Sequence, residues 1–543
     1  MSRLALRLAC GFLLLLGGLS SSFFAARSLA ATATSTSTQS LTTTAPSALV
    51  ISGHGWGHGL GLSQWGTYGY AKHGWTYDRI LAHYYTGTTL GTVKATVLRV
   101  LVASEASSTV TATAAVTVTD KTGRKKLLAP GSFVFGADSV ALDAAPALKP
   151  PFTLSSTQPL AVDSHPYRGK IVVSTDGKVL SVIDRVSLEQ YLRGVVPSEM
   201  PSNWSPEALK AQTVAARTFA VYTMRKSGPF DLYNDSRDQQ YGGVAAESPN
   251  TDAAIAATRG EVVLYKSKPA DTMFFSTSGG RTASALESMG KAVPYLVPVV
   301  DPYDTLSPYH DWGPMLVDAA TAATALNLKA PIADVRVDDG QSGRARTVTV
   351  VSTDDSQATF TGNAIRTALD LRSTWFTPSL LQLAPSAKTM TYGGALSLTG
   401  RARSVDGLSL ESKTAAEPEW TSAGAPSVGP DGAFSVLVRP QVSTQYRLAW
   451  GDVRVGLSKI TVAVRVEAAA GPGGISGSVH PLVSEATVSL QRHSGPAWTT
   501  VSTAPIDLAG GYSFVGVAAG TYRIRCAPGQ GLAAGVSAPL VVS

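Results

Sequence analysis

Gly194-Val195-Val196-Pro197-Ser198-Glu199-Met200-Pro201, leading into Ser205-Pro206-Glu207-Ala208-Leu209-Lys210-Ala211-Gln212-Thr213-Val214-Ala215-Ala216-Arg217-Thr218, sets the reading of the whole chain. Upstream, Ser187 and Gln190 form a capping box ahead of Leu188, Tyr191, Leu192 and Val195, which predicts a short helix stopped by Pro197. A second helix starts with Ser205 as cap, Pro206 at the first helical position and Glu207 in the first turn, where a carboxylate complements the dipole. Leu209, Ala216, Phe219, Ala220 and Thr223 recur at helical spacing, and Gly228-Pro229 ends the run. Between the two helices the prolines pin Glu199 in a connection with little local freedom. A carboxyl held beside Val196, Met200 and Trp204 has its charged form disfavoured, which suits a general acid. The plainer reading is a solvated loop glutamate.

Outward from this centre, Val93 to Val102, Val110 to Val118, Lys170 to Ser174 and Val179 to Asp184 read as strands, the last two joined by an Asp176-Gly177 turn. Val262 to Tyr265 and Met273 to Ser276 read as strands before the Ser278-Gly279-Gly280 loop. That loop offers hydroxyls and backbone N–H groups from Ser276 to Thr282, for oligosaccharide binding or for a plain turn. Arg217 either orients Glu199 or caps carbonyls. From about Leu381 the texture changes to short alternating strands between Gly, Pro and Ser turns, predicting two small β-sandwiches.

Toward the N-terminus, Gly53-His54-Gly55-Trp56-Gly57-His58-Gly59-Leu60-Gly61-Leu62-Ser63-Gln64-Trp65-Gly66 is too glycine-rich for a stable helix and lets backbone approach a ligand closely. His54 and His58 are four apart, but without a helix they need not share a face, so no metal is assigned. Trp56, Trp65 and Trp75 either stack on sugar faces or pack a core.

The 543-residue length implies about three or four domains, and 44% hydrophobic with 15% charged residues implies a folded chain. A basic start through Arg7, an apolar run from Gly11 to Leu19 and small residues at Ser28-Leu29-Ala30 predict a cleaved export signal. Cys10 precedes most of that run, which argues against a lipoprotein box. The signal removed, Cys526 is the only cysteine, so an internal disulfide is excluded and a redox or thiolate-metal role is poorly supported. Arg3, Arg7 and Arg27 carry three of the seven net positive charges, leaving a mildly basic mature chain unlike a nucleic-acid binder.

Glu199-Met200-Pro201 with the Ala208-to-Thr218 helix, Gln240-Tyr241-Gly242-Gly243, Phe275-Ser276-Thr277-Ser278-Gly279-Gly280-Arg281-Thr282 and Pro294-Tyr295-Leu296 together resemble the SpoIID/LytB family. The resemblance implies a mixed α+β module at 48–377. A signal peptide at 1–30 and a Ser/Thr/Ala linker at 31–47 precede it, and two all-β sandwiches at 381–466 and 470–543, Ig-like or carboxypeptidase-regulatory-like, follow it. It further implies a lytic transglycosylase acting on peptidoglycan with Glu199 as its single acid/base. The other possibilities are a glycan-binding enhancer of a separate cell-wall amidase and a purely adhesive wall protein. Candidate glycan contacts are Arg217, Gln240, Tyr241, Ser276, Ser278, Gly279, Gly280, Thr282, Trp56, His58, Ser63 and Gln64. The family's Gly-Trp-Gly-His block usually lies C-terminal; here it comes first, as in a circular permutation, and is expected to dock beside Glu199. Some members hold zinc with cysteines near the segment matching Asp231 to Tyr241, which this chain lacks. No cofactor is expected, and the location implied is the cell envelope, outside the membrane.

Overall fold

The computed structural model describes residues 41–138, 142–225 and 227–543. The export signal at 1–30, Cys10 and most of the 31–47 linker lie outside the described residues. Within them no helix is long and apolar enough to cross a membrane.

Two sheets build the platform for Glu199. A seven-stranded sheet runs in the order Leu232–Tyr233, Val97–Ala103, Leu180–Ser187, Lys170–Thr175, Phe152–Ser156, Val116–Thr119, Lys125–Leu128. A four-stranded sheet runs His165–Tyr167, Leu160–Val162, Ser107–Ala112, Gly131–Gly136. Alternate residues such as Ile171, Val173, Leu180 and Val182 turn inward and meet Val110, Phe135 and Phe152 in one core. The same core takes in Tyr191, Leu192 and Val195, so the helix Leu188–Glu199 grows directly out of a paired strand and is anchored along its apolar stripe.

A second core is helical. The helix Pro206–Thr223 buries Ala211, Val214 and Ala215, whose small side chains admit close neighbours. Against it lie Leu60, Leu62, Ile80, Leu81, Tyr84 and Tyr85, from the N-terminal block and the helices Gln64–Lys72 and Tyr77–Tyr84.

A five-stranded sheet ordered Asp311–Asp318, Ser47–His54, Phe376–Pro385, Leu396–Arg403, Ala433–Val438 then joins regions drawn apart in the sequence reading. Along Ser47–His54, Ala48 and Val50 enter a core with Leu381, Leu398 and Leu448, while Leu49 and Ile51 enter another with Val348, Phe376 and Leu380. Leu41–Thr43 pairs in parallel with Val453 to Val455. The expected linker end at 47 and module end at 377 therefore run through paired strands, because side chains of period two on one strand serve two cores. The last sandwich packs Val466, Ile475, Val488, Leu490, Phe514, Ile524 and the buried free Cys526.

Candidate active site

Glu199 is the last residue of its helix, not a loop residue: the helix passes through Pro197, and the backbone turns extended at Met200. Proline in a final turn removes one backbone donor, and Ser198 Oγ and Met200 N still close that turn on Gly194 O (2.8 Å) and Val196 O (3.0 Å). The Glu199 side chain is half-buried, and one oxygen accepts a hydrogen bond from Gln240 N at 3.0 Å. Burial raises its pKa to about 7, against the opposing pull of the Gln240 amide. A carboxyl at a helix C-terminus also faces the negative end of the dipole, which favours its neutral form.

The loop carrying Gln240 is fixed from beneath. Tyr241 is buried and donates to Asp184 Oδ2 at 2.8 Å; Asp184, on the strand that leads into the Glu199 helix, is itself raised to about 7 by burial. Gln239 reaches Ala216 O (3.3 Å) and accepts from Tyr191 (3.4 Å).

The N-terminal block lies against this centre. Gln64 Nε2 donates to the Glu199 carbonyl at 3.0 Å, and Trp65 N donates to Ser276 O at 3.0 Å. Leu62–Ser63 pairs in parallel with Phe274–Phe275, and Trp56 bridges to Thr277. The glycines serve this pairing: with φ of +73° and +72°, Gly55 and Gly61 bring backbone so close that a Cβ would lie 2.6 Å from Thr277 O and 2.2 Å from Met273 O. Beside Gln64, Trp65, Tyr68 and Trp204 form a cluster, with Tyr68 stacked on Trp204 at 4.5 Å and Trp65 edge-on to Trp204 at 4.8 Å. All three rings keep part of their surface in solvent. Trp204 was visible in the sequence only as an apolar neighbour of Glu199, and Tyr68 carried no signal.

Several expected glycan contacts prove to be internal. Arg217 is fully buried and forks onto Glu189 (2.9 and 2.8 Å) while donating to Glu261 O, so it neither orients Glu199 nor meets a ligand. Ser278 Oγ and Gly279 N donate to the buried Asp304, which also takes Gly280 N and the His310 ring. Ser63 caps the helix at Gly66 N and accepts from Ser278 N. Thr282 Oγ1 donates to Val297 O. His58 packs inward on Phe274 O, and burial together with Arg366 lowers its pKa to about 4, which keeps it neutral. His54 bonds Asp311 at 2.6 Å, apart from His58. Glu199, Gln240, Gln64, Trp56, Ser276 and Gly280 retain solvent access. Asp235 and Asp238 pair with Arg237 and Arg225, and among the described residues no group of three His, Cys, Asp or Glu is placed to hold a metal ion.

This arrangement offers one protonatable carboxyl, a backbone donor on its oxygen and aromatic faces beside it. Residues 176–265 match the family model for SpoIID, the stage II sporulation protein. Stage II sporulation protein D of Bacillus subtilis is 36% identical over 143 residues, 23% of this chain and 42% of that protein. The amidase enhancer of the same organism is 36% identical over 140 residues, 26% of this chain and 19% of that one. An uncharacterized protein of Brachyspira hyodysenteriae is 39% identical over 133 residues, 24% of this chain and 36% of that one. The chain thus spans less than half the length of these relatives. Likeness to solved structures is slight; the human OSCAR ligand-binding domain gives a TM-score of 0.13 at 15% identity, covering 30% of this chain and 97% of that one. The segment that carries Glu199, Arg217 and Gln240 is thus similar to SpoIID/LytB proteins, both to the stage II sporulation protein D and to the amidase enhancer.

Proposed function

We propose that the protein is exported to the cell envelope and cleaves MurNAc–GlcNAc bonds of peptidoglycan as a lytic transglycosylase, with Glu199 as the one acid/base. The observation that carries this reading is a half-buried glutamate whose pKa is raised to about 7 beside a partly open aromatic cluster. Near neutrality such a carboxyl is protonated in a large fraction of molecules and transfers its proton readily to a leaving glycosidic oxygen. Most glycosidases use a second carboxylate as base or nucleophile. Here the sugar's own 6-hydroxyl attacks the anomeric carbon, and Glu199, now ionised, takes up the hydroxyl proton. Holding that hydroxyl in place supplies the effective molarity that a second catalytic group would otherwise supply. The product carries a 1,6-anhydro end and no water is consumed.

Gln240 N steadies the ionised form of Glu199 between the two proton transfers, while Trp65, Tyr68 and Trp204 give sugar rings an apolar face. The decisive experiment incubates the mature chain with purified peptidoglycan and analyses the released sugars. Anhydro-terminated products that vanish in Glu199→Gln support the proposal; products that survive the substitution remove Glu199 from it.

A second reading is a non-catalytic glycan-binding enhancer of a separate wall amidase, favoured by the similarity to the amidase enhancer. Stimulation of an added amidase without anhydro products would select it.

A further inference from the structure

Beyond the Trp65 cluster, the Ser276–Thr277 segment leads to a second place where three distant stretches of chain converge. Trp56 bridges Thr277 and leaves 39% of its surface exposed. Tyr309 meets it edge-on with ring centres 4.5 Å apart. Arg372 completes the group, its guanidinium carbon 4.5 Å from the Tyr309 ring centre and 5.2 Å from that of Trp56. Its backbone is tied to the same spot, since Gly57 N donates to Arg372 O at 3.0 Å and Gly57 bridges Ser373.

The two aromatic rings hold the guanidinium in place, yet its N–H donors find no acceptor among the described residues. The two carboxylates on the Tyr309 segment are engaged elsewhere: Asp311 with His54 at 2.6 Å, and Asp304 with His310 at 2.7 Å. Arginine presents five donors in a planar fork that matches a carboxylate edge-on. Beside it the exposed Trp56 offers a surface for a sugar ring.

We propose that Trp56, Tyr309 and Arg372 form a subsite for a carboxylate-bearing unit of the glycan strand, with Arg372 gripping the carboxylate and Trp56 covering the ring. This rests on the reading that the chain binds wall glycan; it does not require that Glu199 cleave it. The carboxylate has two chemical sources, an acid group borne by the sugar itself or the acid groups of a peptide attached to it.

The test uses the full mature chain carrying Glu199→Gln, so that strands stay intact. Binding is measured to three ligands: a neutral β-1,4-linked N-acetylglucosamine oligomer, peptide-free peptidoglycan strands and peptide-bearing strands. Arg372→Gln is expected to weaken binding to carboxylate-bearing strands about 10-fold while moving the neutral oligomer less than about 2-fold. Arg372→Lys, which keeps the charge but not the fork, should fall between. Trp56→Ala should weaken all three ligands. A loss on peptide-free strands assigns the carboxylate to the sugar, and a loss confined to peptide-bearing strands assigns it to the peptide. The proposal is overturned if Arg372→Gln binds all three ligands like its parent, or weakens the neutral oligomer equally. If the parent binds the strands but the native chain makes no anhydro product, the catalytic reading fails and the subsite stands. If it binds none of the three, glycan recognition itself fails.

Discussion

The part of the molecule that carries Glu199 and its C-terminal sandwiches bury their side chains on different terms. In the sandwiches, alternating strands seal apolar cores, and among the described residues beyond 380 no buried side-chain polar atom is without a partner. In the first part, Thr67 Oγ1, both amide atoms of Gln212 and Arg344 Nε are buried with no partner, and Asp184, Glu199 and Asp301 are all raised to about 7 by burial. Buried groups left short of partners are costly, and a chain keeps them where chemistry needs them. The contrast is in keeping with the proposed site lying in the first part.

The sharpest way to break that contrast is turnover. Glu199→Gln should reduce release of anhydro-terminated sugars by about 10²- to 10⁴-fold. Glu411→Gln, which disturbs the tail ion pairs with Arg447 and Arg454, should leave the rate unchanged. Equal losses would erase the distinction. Next in size is Arg217→Ala. It strips the partner from Glu189 and opens space under the helix, so the expected loss is about 3–5 kcal/mol in denaturant unfolding.

A third test sharpens the comparison through pH. Glu199 has a folded pKa of about 7 against about 4.5 in the unfolded chain, so the folded state binds more protons between those values. Its contribution is neutral below the lower value and destabilising as pH rises through 7. Glu199→Gln should therefore unfold at higher denaturant than the native chain at pH 8, by up to about 3 kcal/mol, and match it near pH 4. Turnover, which needs the protonated acid, should fall above pH 7. The smallest effect is expected for Tyr241→Phe, which removes the hydrogen bond to Asp184. About 1 kcal/mol of stability should be lost and the alkaline limb of the pH–rate profile should shift, because the loop that presents Gln240 N is loosened.

Local signals made part of this legible. Ser187, Pro206 and the apolar spacing of Leu188 to Val195 fixed both helices, and proline-flanked Glu199 stood out as the acid candidate. The glycine block fits against Met273 to Ser278, a partner the sequence does not show, since only tertiary contact shows what a close-packed glycine is close to. Arg217 reads in the sequence as a possible partner of Glu199, yet its acceptor is Glu189, 28 residues upstream, and nothing local marks that pair. The helix ran on through Pro197 because one missing donor near its end is tolerated. Asp304, which gathers four donors under the Ser278 loop, lies in a stretch without any motif.

The strand Ser47–His54 works like a shared wall whose two faces belong to different rooms. Cutting the chain near 380 would pull it loose, let the glycine block drift and release the grip of Gln64 on the Glu199 carbonyl. A truncated protein that no longer holds the wall would then report a disturbed setting of Glu199 and say nothing about what the tail itself touches.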